Sequence, residues 1–168
     1  SVALFISWRK VEDTKTVSVQ TIPITMCGSF FPSLEDTVFL PVRLLSGLGD
    51  LHYAITTQDP QAQKFFDQGL RLIYAFNHVE ALRSFKEASR LDPGCAMTYW
   101  GQALALGPNI NDINPKDREK MAFEAISIAK KLSGSASPRE TDFIQALAAR
   151  YDGKAYDVRD SLNISYRE

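Results

Sequence analysis

The pattern of apolar positions changes character near residue 59. Upstream, Val17, Val19 and Thr21 alternate with polar residues, a period of two that is typical of a half-buried strand. Downstream, apolar residues recur three and four positions apart, which is the period of an amphipathic helix. The pattern predicts a mainly α protein in two parts: an extended, β-rich N-terminal arm over 1–50 and a helical repeat domain over 51–168.

Capping and breaking residues set the bounds of the predicted helices. Asp59 followed by Pro60 suits a helix start, because Asp caps the first N–H groups and Pro fits the first turn. Pro93 and Gly94 end a helix. Helices are predicted from about 60 to 76, 79 to 91, 95 to 106, 116 to 132, 139 to 151 and 156 onward, and a short helical turn is expected over 41–45. Short connections between helices favour antiparallel pairs.

Small side chains lie where the first two predicted helices would cross. Two helices approach closely only where side chains are small, so Gly69 and Ala81 allow the contact. Phe85 then fills the space toward the next pair, and Ala88 admits the helix that follows. Pro93 closes the unit. The same small-large-small spacing therefore predicts a repeated helical hairpin.

This spacing resembles that of the tetratricopeptide-repeat superfamily. Ala103 lies 34 residues after Gly69, and Ala122, Ile126 and Ala129 repeat the small-large-small spacing of the first unit. The second repeat departs from the family pattern, because its inter-helix loop is longer and no proline closes it. A third repeat is expected around Ala146. The stretch from "LGDLHYAITT" to "ALALGPNIN" also resembles a group of largely uncharacterised proteins of this superfamily, a likeness that supplies no activity.

The resemblance implies a superhelix whose first helices line a concave groove for a peptide or a partner helix. The matching positions are Gln63, Phe66, Leu70 and Ile73 in the first repeat and Met97, Trp100 and Leu104 in the second. Since an exposed apolar groove is uncommon, either a partner fills it, or the N-terminal segment or a bend of the superhelix buries it. Chaperone-binding members hold a terminal carboxylate with Lys and Asn, where this chain has Phe66 and Leu70. A carboxylate clamp is therefore not expected.

Composition narrows the classes of function. The chain has 168 residues, 45% hydrophobic and 23% charged, with a formal net charge of -1. A nucleic-acid-binding domain usually carries a clear basic excess, and no apolar run approaches the roughly 20 residues that span a bilayer. We therefore expect neither nucleic acid nor membrane as a partner. Because the chain starts at Ser1 rather than Met, an exported or extracellular location is favoured.

Signals for catalysis, metals and cofactors are weak. His52 and His78 are the two histidines, and zinc sites need three or four ligands at recognisable spacing. His78 is interpreted as a surface residue of a turn, although a pair of Cys95 with His78 is conceivable in any fold. Cys27 and Cys95 do not make a disulfide scaffold, and whether they pair stays open. We expect no enzyme, cofactor or metal; "NIS" at Asn163 is an acceptor sequon for N-glycans.

Two hypotheses about function remain. The first is a scaffold for protein–protein interaction that binds a protein or peptide segment in the groove. The second is a structural subunit that self-associates head-to-tail, because an alternating apolar arm can complete a neighbour's surface and an uncapped solenoid exposes an apolar end.

Overall fold

The computed structural model describes residues 41–109, 116–153 and 160–167. In these ranges the chain forms the α-helices α1 (Pro60–Tyr74), α2 (His78–Leu91), α3 (Ala96–Leu106), α4 (Lys116–Leu132), α5 (Pro138–Ala148) and α6 (Asp160–Arg167), with a 3-10 helix over Ser133–Ser135. The prediction of a mainly helical protein is confirmed. The strand-like runs of the N-terminal arm lie outside the described residues, so the β-rich arm stays a prediction.

Local capping explains where the helices begin. The Asp59 side chain accepts the backbone N–H groups of the first turn of α1. α5 starts one residue earlier than predicted, because Ser137 and Glu140 form a capping box ahead of it. α5 also ends before Tyr151, whose hydroxyl donates to the backbone carbonyl of Ala103 at 2.9 Å. Local capping therefore accounts for the starts of α1 and α5.

The helical turn expected over 41–45 is wrong, because this stretch forms no helix. The Gln68 side chain of α1 satisfies the backbone there: its Oε1 accepts the N–H of Leu45 at 2.7 Å, and its Nε2 donates to the carbonyl of Arg43 at 3.0 Å. A helix would use these groups internally. The contact with α1 therefore replaces local hydrogen bonding.

Consecutive helices pack against each other from α1 to α5, and α1 and α5 also each contact α3. α1, α3 and α5 consequently lie next to one another along one side, while α2 and α4 cover the other. This alternation is compatible with a helical repeat. None of the helices in the described ranges combines the length and hydropathy that a bilayer span requires.

The centre of the core is the ring of Phe85, which is fully buried. Its edge lies against the backbones of two glycines from neighbouring helices. A Cβ placed on Gly69 of α1 would lie 2.6 Å from Cε1 of the ring, and one on Gly101 of α3 would lie 2.4 Å from Cδ1. The small residues that the repeat spacing singled out are also buried: Ala81, Ala88, Ala103, Ala122 and Ala129.

Histidine 78 is not the surface residue that its place in a turn suggested. It is the first residue of α2, both of its ring nitrogens are buried, and neither has a hydrogen-bond partner among the described residues. Cys95 is buried beyond the opposite end of the same helix. Since an α-helix rises about 1.5 Å per residue, α2 holds the two about 20 Å or more apart. They do not form a Cys–His pair.

Candidate functional site

An extended segment precedes α1 and runs along it. We call residues 43–58 the strap. Gly47 and Gly49 have φ of +80° and +79°, a left-handed conformation that glycine adopts without steric cost. They turn the chain between two arms of the strap. The first arm meets Gln68, and the second, from Leu51 onward, follows a different face of the helix.

The second arm is held through its backbone by side chains of α1. Gln63 brackets it, with Nε2 donating to the carbonyl of Tyr53 and Oε1 accepting the N–H of Ile55, both at 2.9 Å. Asp67 Oδ1 accepts the N–H of Tyr53 at 3.1 Å. The amide of Gln63 also donates to Asp67 at 3.0 Å, which fixes its orientation. These contacts imitate the pairing of one strand with another.

The geometry of the two elements matches along their length. Arg71 Nε donates to the carbonyl of Leu51 at 2.8 Å, one helical turn beyond Asp67. Each advance of four residues on α1, from Gln63 to Asp67 to Arg71, therefore corresponds to two residues of strap in the opposite direction. Four helical residues rise about 6.0 Å, and two extended residues about 6.6 Å. An extended chain therefore keeps this register with the helix over these residues.

The far end of the strap is anchored on two carboxylates. Glu140 of α5 accepts the N–H of Thr56 at 2.7 Å and its hydroxyl at 2.6 Å. Asp92, in the turn between α2 and α3, accepts the hydroxyl of Thr57 at 2.6 Å and the N–H of Gln58 at 2.8 Å. The strap therefore bridges elements that are distant in sequence.

Hydrogen bonding lowers the pKa of both anchoring carboxyl groups. Burial by itself would raise the pKa of Glu140, but hydrogen bonds from Thr56 and Ser137 outweigh it and hold that pKa below its usual value. For Asp92, burial again acts upward, and hydrogen bonds from the Thr57 hydroxyl and neighbouring backbone N–H groups lower the pKa overall. Both carboxylates are therefore ionised at neutral pH, when they accept hydrogen bonds most strongly.

The ring of Tyr53 fills an aromatic pocket between α1 and α5. It lies 6.5 Å from the ring of Phe66 and 6.0 Å, edge-on, from the ring of Phe143. The guanidinium of Arg139 stacks over it at 5.3 Å, a favourable cation–π distance. Behind the pocket, Trp100 Nε1 donates to the carbonyl of Phe143 at 3.1 Å. α1, α3 and α5 thus all contribute to this pocket.

The side chains of these three helices around the strap form one continuous surface, which we call the groove face: Gln63, Phe66, Asp67, Arg71, Trp100, Arg139, Glu140 and Phe143. No protein-family model, curated protein or solved structure matches the chain. The tetratricopeptide-repeat relationship consequently stays a prediction that rests on residue spacing.

The structure places the predicted groove residues as follows. Phe66, Leu70 and Met97 are buried, and Gln63, Ile73, Trp100 and Leu104 are half-buried. Of these, Gln63 and Phe66 contact the strap directly. The sequence had left open what covers the apolar positions. Three apolar strap residues, Leu48, Tyr53 and Ile55, pack against the same core. Most of the N-terminal arm lies outside the described residues, so the alternatives for what covers the groove stay open.

Sequence reasoning missed the contribution of α5. Glu140 and Phe143 precede Ala146 by six and three positions. The same offsets separate the predicted groove residues Gln63 and Phe66 from the small residue of their own helix. Extending the repeat register to the third unit would therefore have found both.

Sequence reasoning also missed the polar ladder on α1. Asp67 and Arg71 follow Gln63 at steps of four, which places all three on one helical face. A second signal lies over 51–55, a few residues before the helix start, where large apolar residues alternate with His52 and Ala54. Together, these patterns indicate an extended segment beside a helix with polar side chains.

Two further predicted features have a position in the structure. Asn163 of the glycan sequon lies exposed on α6, and its modification stays a prediction. Within the described ranges no group of three or more His, Cys, Asp or Glu residues could hold a metal ion.

Proposed function

We propose that the protein is an interaction scaffold that holds an extended segment of a partner protein on the groove face. The observation that carries this proposal is the way the strap is bound. Side chains of α1, α5 and the α2–α3 turn pair with its backbone N–H and carbonyl groups. Because every polypeptide has these groups, a surface that pairs with them accepts an extended segment from another protein in the same manner.

The buried polar groups of the groove face support binding as its task. Asp67 is buried, and Glu140 is almost completely so. A buried carboxylate is costly unless hydrogen-bond donors reach it. The N–H groups of Tyr53 and Thr56 are donors that an extended chain supplies at the right spacing. A partner segment that displaces the strap supplies the same backbone donors to both carboxylates, whereas the contact of His52 Nδ1 with Asp67 Oδ2 at 2.7 Å and the bond from the Thr56 hydroxyl to Glu140 at 2.6 Å depend on its side chains.

A peptide-display selection tests the proposal. The full chain carrying Tyr53→Ala, which loosens the strap, is immobilised and offered a library of random 12-residue peptides. Selected peptides are then measured by fluorescence anisotropy on the same chain with Gln63→Ala added. Lys64→Ala is the matched control, since Lys64 is the next residue of α1 and is exposed.

The expected result is a set of peptides whose affinity falls about tenfold with Gln63→Ala, the loss of roughly one well-placed pair of hydrogen bonds. Affinity should not change with Lys64→Ala. The proposal fails if no peptide is enriched, or if the enriched peptides bind equally to the Gln63→Ala chain.

A further inference from the structure

We propose that the groove face selects an extended segment that carries an aromatic residue, an aliphatic residue two positions later and a hydroxyl residue directly after it, and that the strap is the occupant a partner segment must displace. This inference rests on the function proposed above and names the class of its ligand. It combines the side-chain contacts of the strap with its position on the surface.

Selectivity cannot come from the backbone contacts, since those are common to all sequences. It comes from the pocket around Tyr53, where Phe66 and Phe143 supply two ring faces or edges and Arg139 supplies a cation. A cation stacked on a ring favours an aromatic occupant over an aliphatic one of similar area. This pocket therefore specifies an aromatic residue.

At the next positions, side chains that are exposed alternate with side chains that contact the protein. Ala54 is exposed, so its position tolerates any side chain, whereas Ile55 packs against the core. Thr56 donates its hydroxyl to the Glu140 carboxylate at 2.6 Å. An acidic residue there would bring a second negative charge against the buried carboxylate of Glu140, a repulsive element that rejects wrong partners. The pattern is thus enforced by both attraction and repulsion.

Displacement requires the second arm of the strap to separate from the groove face. The second arm is joined to the first through Gly47 and Gly49, whose Cβ positions face open space with no atom within 4 Å. Three of the side chains that pair with its backbone, Gln63, Arg71 and Asp92, are only half-buried. Occupation by the strap reduces the fraction of molecules that are competent to bind, and apparent affinity falls in proportion.

The experiment uses a fluorescent peptide of residues 51–58, LHYAITTQ, titrated against the full chain by anisotropy. Two strap variants, Tyr53→Ala and the milder Thr56→Val, each loosen the strap in a different way, and circular dichroism verifies that both remain folded. Tyr74→Ala is the matched control, because Tyr74 is 71% exposed at the end of α1. Peptides carrying Tyr53→Ala or Thr56→Glu test the pattern.

The expected result is at least about tenfold tighter peptide binding to each strap variant than to the wild type and to Tyr74→Ala. Both altered peptides should bind the strap variants at least about tenfold more weakly than LHYAITTQ does. Equal affinity of wild type and strap variants overturns the displacement. Equal affinity of the three peptides overturns the pattern.

Failure of this inference is distinguishable from failure of the proposed function. If LHYAITTQ does not bind while library peptides do and depend on Gln63, the pattern is wrong and the scaffold function stands. If neither LHYAITTQ nor any library peptide binds the folded strap variants, both the inference and the function fall.

Discussion

Gly101→Ala should destabilise the protein even though alanine is the better helix former. The new methyl carbon would lie 2.4 Å from Cδ1 and 2.5 Å from Cε1 of Phe85, whereas carbon atoms in contact are normally about 3.5–4.0 Å apart. The ring has little room to move away, because it is fully buried and its same edge lies against Gly69. The ring of Phe66 also packs on it, with centroids 5.5 Å apart.

The magnitude follows from two opposing effects. Overpacking a core by a methyl group costs about 1–3 kcal/mol, and exchanging Gly for Ala inside a helix returns about 1 kcal/mol. The net loss of unfolding free energy should therefore be up to about 2 kcal/mol, which urea denaturation followed by circular dichroism resolves. For a chain of this size, each kcal/mol shifts the melting temperature by about 2–4 °C.

A double-mutant cycle isolates the contact. In a Phe85→Leu background the ring is gone, so Gly101→Ala should become neutral or stabilising by up to about 1 kcal/mol. Gly134→Ala is the control, since no atom lies within 4 Å of its Cβ position, and it should change stability by less than about 0.5 kcal/mol. If Gly101→Ala has the same sign and size with and without the ring, the steric account is refuted.

Further outcomes follow from three other sites. Phe76 has φ of +58° and is 61% exposed, so Phe76→Gly should relieve the strain and stabilise by up to about 1 kcal/mol in urea, while a loss would show that the ring matters more. Burial, and then the charge of Arg118, lower the pKa of His78 from 6.5, so it stays neutral in the fold. Its contribution to stability is present above pH 6.5 and lost as pH falls below it; denaturation between pH 7 and 5 should show a shallower loss in His78→Gln, and equal slopes would contradict this. Burial raises the pKa of the Cys95 thiol, so in a Cys27→Ser chain a thiol reagent should react only as the protein unfolds, and prompt labelling in the native state would contradict this.

The helices could be predicted from the sequence because the signals that define them are local. Asp59 and Pro60 define the start of α1 within a single turn, and the fourth helix has the predicted bounds. The small residues near Phe85 could be predicted for a related reason, because close helix contacts require small side chains at regular spacing. Such signals act over a few residues, so one sequence is sufficient to find them.

By itself, the sequence determined a mainly helical protein, the positions of most helices and the small residues where they cross. Only the tertiary structure decided what lies on the groove face. Glu140 meets Thr56 across 84 positions of chain, and no local pattern specifies that pairing. The burial of the His78 ring nitrogens could not be predicted either, because part of the surroundings of the ring, such as Arg118 of α4, is distant in sequence. Contacts of this kind depend on how whole helices pack, since packing brings together side chains that no sequence period relates.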